Sequence, residues 1–288
     1  MKTIAWIPGQ LANPSQAFAW KMIQKHAADN CFDVIVLDGK GDVQEQVKAI
    51  NNAVAQKVDV IFVNPNDAKA IVPSLTEARK AGVVVGWFMS NPAEDAKESA
   101  DFFVGVDDNQ AGEFAAKAIL DSFPDGATMV EIGGQAGHDA AIRRHDGFAG
   151  GIEGTKINVL EYKNPQQWDT AQAQAIAEDM ITKYGDEIQA IFCHWDNGAT
   201  GVINALKAKS GMENVMIVAV DGNKTGFDQV QSWPNYISIA QNIETITTYS
   251  MKTANLFLNK DTSAKYENIV PFDIITKDSI GDFTPPEW

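Results

Sequence analysis

The sequence predicts an α/β fold made of two doubly wound units, each with a parallel sheet. Three observations predict it: short apolar runs alternate with helical segments, one looser stretch interrupts this alternation, and a length of 288 residues suits two domains. Apolar runs without polar alternation are typical of strands that helices cover on both faces. The looser stretch, residues 91–100, begins with Asn-Pro and carries several charges, so we expect the first series to end there.

Each element is predicted from its own pattern. The first series contains apolar runs that we interpret as strands, at residues 4–7, 33–37, 58–63 and 83–87, with a fifth at 102–106. Helical segments separate them at 15–28, 43–54 and 71–81. In the middle helix, apolar residues at 43, 47, 50 and 54 form one stripe. The second series has strands at 129–132, 159–162, 190–193 and 215–220, and helices at 111–123, 139–152, 170–184 and 198–209.

Charge and composition exclude several functions. Lys and Arg number 23 and Asp and Glu 38, so the net charge is −15, which disfavours binding to nucleic acids and anionic membranes. No apolar run approaches the roughly 20 residues of a membrane helix, so we expect no membrane insertion. Cys31 and Cys193 are too few for a disulfide framework and are expected to be buried or half-buried thiols. The histidines lack metal-ligand spacing, so we expect no metal and no cofactor.

The first residues show no secretion signal. Met-Lys-Thr leads directly into a strand, without a basic segment, an apolar core and a cleavage site. We expect either a cytoplasmic protein or a mature chain in which an initiator Met replaces the signal.

Ligands of doubly wound sheets bind beyond the carboxyl ends of the strands. This rule selects loops at residues 9–15, 64–67, 88–91, 107–109, 133–144, 195–198 and 221–225. Asn13 and Asn64 each precede a proline there, which indicates either capped turns or amides that bind hydroxyl groups. Asp107 and Asp221 each follow a strand and could cap helices, accept hydroxyl hydrogen bonds, or act as the acid and base of a hydrolase.

Three further features of these loops leave alternatives open. The glycines at 133, 134 and 137 indicate either a tight turn or a phosphate cradle, although the phosphate motif is incomplete. Trp168 and Trp195 could pack in the core or form an aromatic wall for a sugar or a cation. Arg144 could form a surface ion pair or face the same cleft.

Six segments, in order and at consistent spacing, carry a family resemblance: residues 12–14 (Ala-Asn-Pro), 58–67, 106–112, 140–148, 218–222 and 239–242. In these segments the chain resembles the type I periplasmic sugar-binding proteins, most of all their ribose-binding branch, over essentially its whole length. The resemblance implies two similar lobes joined by three crossovers, near 105–107, 241–242 and 271–273. The first lobe would contain 1–106 plus 243–271, and the second 107–242 plus 272–288.

The function implied by this resemblance is transport. A small carbohydrate or polyol would sit between the lobes and be buried by hinge closure, and a membrane ABC permease would take it from the closed form. The protein would be bacterial, periplasmic, monomeric and not an enzyme. The resemblance assigns ligand contacts to Asn13, Gln16, Asn64, Met89, Ser90, Asp107, Arg144, Trp168, Trp195, Asp221 and Gln241.

The chain departs from the ribose-type site at several of these positions. The family has an acidic and a basic residue where this chain has Met89 and Ser90, and Phe at positions 15, 16 and 168. It has Asn where this chain has Trp195. Met89 removes a hydroxyl acceptor and Trp195 adds bulk, so we predict a small polyol, a deoxy sugar or a furanose-like ligand rather than a fully hydroxylated pyranose.

Other functions compete with this one. The same fold could bind a small cation, although Arg144 would repel it, or another ligand that is not a sugar. It could be the effector-sensing part of a repressor without its DNA-binding part, since no basic helix-turn-helix precedes the first strand. A hydrolase would need Asp107 and Asp221 as its catalytic pair.

Overall fold

The computed structural model describes residues 1–92 and 94–288, which form two compact units. The first unit comprises Met1–Asp107 and Asn242–Pro271, and the second comprises Asp108–Gln241 and Phe272–Trp288. The chain therefore passes between the units three times. Each unit is a six-stranded sheet with helices, which confirms the predicted α/β class with two parallel-sheet units.

The sheet of the first unit is parallel throughout. Its strands are β1 (Lys2–Ile7), β2 (Phe32–Val36), β3 (Val60–Val63), β4 (Val84–Met89), β5 (Phe102–Gly105) and β11 (Glu267–Ile269), in the order β11-β5-β4-β3-β1-β2. The helices are α1 (Pro14–Ala27), α2 (Val43–Ala55), α3 (Ala68–Lys80) and α9 (Ile243–Leu258). Neighbouring residues of one strand, such as Trp87 and Phe88, point to opposite faces and both are buried. Burial of both faces explains why these strands read as continuous apolar runs.

The second unit repeats this arrangement, with one antiparallel strand added at its edge. Its strands are β6 (Ala127–Ile132), β7 (Ile157–Lys163), β8 (Ala190–Cys193), β9 (Met216–Asp221), β10 (Tyr236–Ala240) and β12 (Asp273–Ile275), in the order β12-β10-β9-β8-β6-β7. Strand β12 runs antiparallel to β10, and the other pairs are parallel. The helices are α4 (Asp108–Ser122), α5 (Asp139–Ile152), α6 (Thr170–Tyr184), α7 (Asp196–Lys207) and α8 (Lys224–Ser232).

Both sheets have a topological switch point. In the first unit β1 lies between β2 and β3, and in the second β6 lies between β7 and β8. The connections from the two neighbouring strands leave in opposite directions there, which opens a crevice at the carboxyl ends of the strands. The loops after β1 and β3, and those after β6 and β8, therefore border the crevice of their own unit.

The helix boundaries differ from the sequence predictions at two places that matter for the site. Helix α4 begins at Asp108 and α7 at Asp196, earlier than the predicted starts at 111 and 198. The first turn of each helix is polar, so apolar periodicity does not reveal it. Asp108, Asn109 and Asp196 are thus helical residues rather than loop residues.

The two cysteines occupy different environments. Cys193, at the end of β8, is buried as expected. Cys31 is exposed, and the expectation of a buried or half-buried thiol is wrong there, because Cys31 occupies a left-handed turn (φ 62°) just before β2. Within residues 1–92 and 94–288, no helix is long and apolar enough to span a bilayer.

Candidate functional site

In the first unit, Asn13 forms the cap that starts α1. Its Oδ1 accepts hydrogen bonds from the Ser15 amide at 3.0 Å and the Ser15 hydroxyl at 2.8 Å, and Pro14 occupies the first helical position. Gln16, one turn further on, is buried, and its Oε1 accepts from the Gln10 amide at 3.2 Å. These contacts hold the loop after β1 in one conformation and place both amide side chains in it.

Asn64 follows β3, on the other side of the same crevice. Its side chain is 3% exposed, and its Nδ2 donates to the carbonyl of Phe88 at 3.1 Å, which sets the orientation of the amide. No described residue donates to the buried Oδ1. A buried acceptor without a donor costs about 1–3 kcal/mol, so this oxygen is suited to a donor from a ligand.

The end of β4 presents Met89 and Ser90. Met89 is buried and has a φ of 74°, a backbone region that L residues rarely adopt. The Ser90 amide donates to the Phe88 carbonyl at 3.1 Å, so the chain turns sharply there. The side chain at the tip of this strand is therefore a thioether, which accepts hydrogen bonds only weakly. Asp107 lies half-buried after β5, at the end of the first segment of this unit.

In the second unit, Arg144 of α5 is held by two acceptors. Its Nε donates to Asp108 Oδ1 at 2.9 Å, and Nη1 donates to the carbonyl of His194. The side chains of this ion pair are 5% and 1% exposed, so Arg144 does not form the surface ion pair that the sequence left open. A buried, paired guanidinium has a defined position, which suits it to planar hydrogen bonding with a ligand.

Trp168 provides an aromatic surface beside this arginine. Its ring centroid lies 5.8 Å from Arg144 Cζ and 5.3 Å from the ring of Trp195, which it meets edge to face. Trp168 is half-buried, whereas Trp195 is buried within the apolar core and packs against Gly198. Of the two alternatives that the sequence left open, the aromatic wall suits Trp168 and packing in the core applies to Trp195, which supports Trp168 from below.

The glycine turn after β6 serves packing rather than anion binding. The Gly133 amide donates to the Lys163 carbonyl at 3.0 Å, and the Gly134 amide donates to His194 Nδ1 at 3.1 Å. These amides are therefore not available to a phosphate. A Cβ on Gly134 would lie 2.0 Å from the ring of Trp168, so glycine is needed for the tryptophan to approach the turn.

A buried carboxylate connects two histidines behind this turn. Glu131 of β6 accepts from His194 Nε2 at 2.8 Å and from His145 Nδ1 at 2.9 Å. Burial alone would raise the pKa of Glu131, but the two histidine hydrogen bonds outweigh it and lower the pKa. The hydrogen bond that His145 donates to Glu131 raises the pKa of His145, whereas burial lowers the pKa of His194. His194 is thus a neutral imidazole that fixes the glycine turn.

Asp221, the last residue of β9, is the acceptor of the second unit. It is 9% exposed, and its Oδ1 accepts from Gln241 Nε2 at 2.8 Å. Burial raises the pKa of Asp221 to about 6, against the opposing effect of the Arg144 charge. Arg144 donates to Asp108 and to the His194 carbonyl, and it acts on Asp221 through its charge.

Sequence reasoning missed Asp196, at the start of α7. Its carboxylate is fully buried and accepts three hydrogen bonds of 2.8 Å, from the Tyr236 hydroxyl, the Ser238 hydroxyl and the Gly222 amide. Burial, and then the charge of Asp221, raise the pKa of Asp196 to about 7. The available signal was an acidic residue three positions after the end of β8, at the start of a helix.

Taken by unit, the structure groups the predicted residues as follows. Asn13, Gln16, Asn64, Met89, Ser90 and Asp107 belong to the first unit, and Arg144, Trp168, Trp195, Asp221 and Gln241 to the second. Within residues 1–92 and 94–288, no group of three or more His, Cys, Asp and Glu side chains is arranged to hold a metal ion. The second unit combines a guanidinium donor, a carboxylate acceptor and an aromatic surface.

Comparison with known proteins identifies the family of this chain. A family model described as "periplasmic binding protein domain" matches residues 4–262. The ribose import binding protein of Bacillus subtilis is 28% identical over 257 residues, which cover 89% of this chain and 82% of that protein. The ribose import binding protein of Haemophilus influenzae is also 28% identical, over 94% of this chain and 90% of that protein.

Solved structures show the same fold. A galactofuranose binding protein superposes with a TM-score of 0.90 at 19% identity, covering 98% of this chain and 97% of that one. A solute binding protein of Bacillus halodurans with bound myo-inositol has a TM-score of 0.89 at 21% identity, covering 98% and 96%. Because the family model spans most of the sequence, the chain belongs to the periplasmic binding protein domain family.

Proposed function

We propose that the protein is a solute-binding protein that captures a small carbohydrate or polyol and delivers it to an ABC permease. The observation that carries the proposal is the combination of Arg144, Trp168 and Asp221 at the carboxyl edge of the second sheet. Hydroxylated rings present hydroxyl groups at their rim and an apolar face, and these need hydrogen-bond partners and an aromatic surface respectively. The two compact units would be the two lobes of the family.

The first unit supports the same ligand class. The buried Oδ1 of Asn64 has no donor among the described residues, and a ligand hydroxyl would supply one. Asn13 and Gln16 place two further amides at the start of α1, directly after the loop that follows β1. We therefore assign ligand contacts to the residues that the sequence resemblance named in both units, with Trp195 acting from the core through Trp168.

The names of similar proteins agree with a sugar or polyol. The relatives in Bacillus subtilis and Haemophilus influenzae are named for ribose import. Structures of similar fold hold arabinofuranose, D-allose, myo-inositol and glycerol. These ligands differ in ring size and hydroxyl count, so this chain's own residues must select among them.

We infer the selection from Met89 and Trp195. The thioether of Met89 gives a facing hydroxyl no strong acceptor, and an unpaired buried hydroxyl costs about 1–3 kcal/mol. Trp195 fills space that a smaller residue would leave open. A furanose, a deoxy sugar or a small polyol loses less at these positions than a fully hydroxylated pyranose.

The electrostatics of the second unit disfavour a cationic ligand. Arg144 is buried and carries a charge that Asp108 balances, so a second cation beside it would be repelled. The protein would release the ligand chemically unchanged, since the proposed role of Asp221 is to accept hydrogen bonds and not to transfer protons. The location would be extracytoplasmic and the active form a monomer.

A thermal-shift screen followed by calorimetry tests this function. The screen uses D-ribose, D-glucose, D-allose, L-arabinose, D-fucose, myo-inositol and glycerol, since a ligand that binds only the folded state raises its melting temperature. Asp221→Ala should abolish measurable binding and Trp168→Ala should weaken it several-fold, whereas Asp228→Ala on the exposed face of α8 should not change it. Tight binding of ribose or glucose with the small polyols inert would refute the inferred selection for a furanose, a deoxy sugar or a small polyol. Turnover of a sugar by the pure protein would refute the binding role.

A further inference from the structure

Asp196 is a fully buried carboxylate that the proposed ligand contacts do not use. It is the first residue of α7, and its two oxygens accept from a tyrosine hydroxyl, a serine hydroxyl and a backbone amide, each at 2.8 Å. Charge-assisted hydrogen bonds of this kind are strong and give the acceptor a defined position. The carboxylate is therefore a rigid acceptor placed beneath the candidate site.

The backbone amide among these donors belongs to Gly222, which follows Asp221. Asp221 has a φ of 134°, a conformation that costs an L residue about 1–3 kcal/mol and persists only where the surroundings enforce it. The next peptide group donates its N–H to Asp196 Oδ2 at 2.8 Å, with the Ser238 hydroxyl oxygen 3.1 Å away. The hydrogen bond to Asp196 thus compensates the strain at Asp221.

This strained backbone sets where the Asp221 side chain points. In the observed conformation its Oδ1 accepts from Gln241 Nε2 at 2.8 Å. We propose that Asp196 is a positioning residue for ligand binding, which uses the Gly222 amide to hold the Asp221 carboxylate in its binding orientation. The proposal rests on the proposed function, because it takes Asp221 as a ligand contact.

Two glycines allow close packing around Asp196 and the turn after Asp221. A Cβ on Gly226 would lie 2.1 Å from Asp196 Oδ2, and a Cβ on Gly222 would lie 2.0 Å from Ala240 Cβ. Gly226 therefore lets α8 approach the Asp196 carboxylate, and Gly222 lets the turn approach β10. Asparagine keeps the size of the Asp196 side chain and removes its charge, so it is the informative replacement.

The two carboxylates also influence each other's ionisation. Burial raises the pKa of both carboxyls, the charge of Asp221 raises the pKa of Asp196 further, and the charge of Arg144 lowers the pKa of Asp221. The other groups that bear on the pair are the hydroxyls of Tyr236 and Ser238, the amide of Gln241, the Asp108 carboxylate and the buried Cys193 thiol. Asp196→Asn removes one like charge, so it should lower the pKa of Asp221. Ligand affinity, which needs the ionised Asp221, should then persist to lower pH.

The experiment compares Asp196→Asn with Asp228→Asn, a variant of an exposed acid that pairs with Lys224 on α8. The Gly222 amide is followed by NMR in the ligand-free protein, and affinity is measured by calorimetry with D-ribose, D-allose, L-arabinose, myo-inositol and glycerol. In Asp196→Asn we expect an upfield shift and faster exchange of the Gly222 amide. We also expect binding near pH 8 to be at least about tenfold weaker than in the wild type. The acid limit of binding, which is the pH below which affinity is lost, should lie at a lower pH than in the wild type. Asp228→Asn should match the wild type in each measurement.

The outcomes separate a positioning role from a structural one. A folded Asp196→Asn protein with the wild-type Gly222 signal and wild-type affinity overturns the proposal. Lower thermal stability with an unmoved acid limit also overturns it, since it indicates a structural role alone. If Asp196→Asn does not fold, the proposal is tested on the wild type by following the NMR signal of the Gly222 amide against pH. The chemical shift of this amide must change as Asp196 titrates, and a constant shift overturns the proposal. If none of the five probes binds the wild type, the proposed function fails, while the Gly222 signal still shows whether Asp196 holds the turn.

Discussion

The buried ion pair of the second unit makes a sharp stability prediction. Asp108→Ala should lower the free energy of unfolding of this unit by about 3–5 kcal/mol, because it leaves the Arg144 charge buried without its partner. The magnitude follows from the geometry: Nε and Oδ1 are 2.9 Å apart, and the two side chains are 5% and 1% exposed. At about 2–4 °C per kcal/mol for a unit of this size, the melting temperature should fall by about 6–20 °C.

The same helix provides the control. Asp121 of α4 pairs with Lys117 at 2.7 Å, but these side chains are 64% and 70% exposed. Asp121→Ala should therefore leave the free energy of unfolding nearly unchanged, since exposed pairs are well screened by water. The comparison holds the helix and the substitution constant, while the burial of the pair and the position of the acid along the helix differ.

Urea unfolding followed by circular dichroism and tryptophan fluorescence measures these differences. The two probes together show whether the units unfold in one transition or two, which must be known before a free energy is assigned. The double variant Asp108→Ala/Arg144→Met should be more stable than Asp108→Ala, because it removes the uncompensated charge. If Asp108→Ala loses less than about 1 kcal/mol, or if the double variant is no more stable than the single one, the ion pair does not have the stated role.

Three further predictions concern the site and its support. Asn64→Ala should weaken binding of the captured solute about tenfold, because it removes the buried acceptor, and unchanged calorimetric affinity would contradict this. Gly134→Ala should displace Trp168, changing its fluorescence and weakening binding, whereas Gly150→Ala, whose Cβ would meet nothing within 4 Å, should do neither. The pKa of His145 is raised above its ordinary value of 6.5, so its contribution to stability is complete below that pH and is lost as the pH rises through the folded-state pKa. The stability difference between wild type and His145→Ala should therefore be largest near pH 5.5 and shrink toward pH 9; a difference that grows with pH would contradict the assignment.

The sequence predicted the architecture well because both faces of most strands are buried. Strands such as β3 and β8 are continuous apolar runs, which pattern alone identifies. Strand β10 was not predicted, since Ser238 interrupts its apolar run, and α8 was not predicted because its sequence is mostly polar. In both elements the burial of a few residues against the rest of the unit determines the structure.

The residues of the candidate site likewise differ in whether the sequence alone reveals them. Asn13 was recognisable because its neighbours Pro14 and Ser15 form a local capping pattern. Asp196 was not, because its environment comes from Tyr236 and Ser238, which are 40 and 42 residues away in sequence. Local patterns reveal residues whose partners are near in sequence, while a buried hydrogen-bond cluster becomes visible only in the folded chain.

The exposed turn at Cys31 has a practical consequence. The other thiol, Cys193, is buried and burial raises its pKa strongly, so a maleimide dye should react at Cys31 alone without any engineered cysteine. Cys31 precedes β2, at the amino end of a five-residue strand, whereas Asn13 and Asn64 lie at the carboxyl end of the same sheet. A strand of that length spans about 16 Å, so the dye would sit across the sheet from the proposed contacts. The natural chain thus already carries a single attachment point for an optical reporter of solute capture.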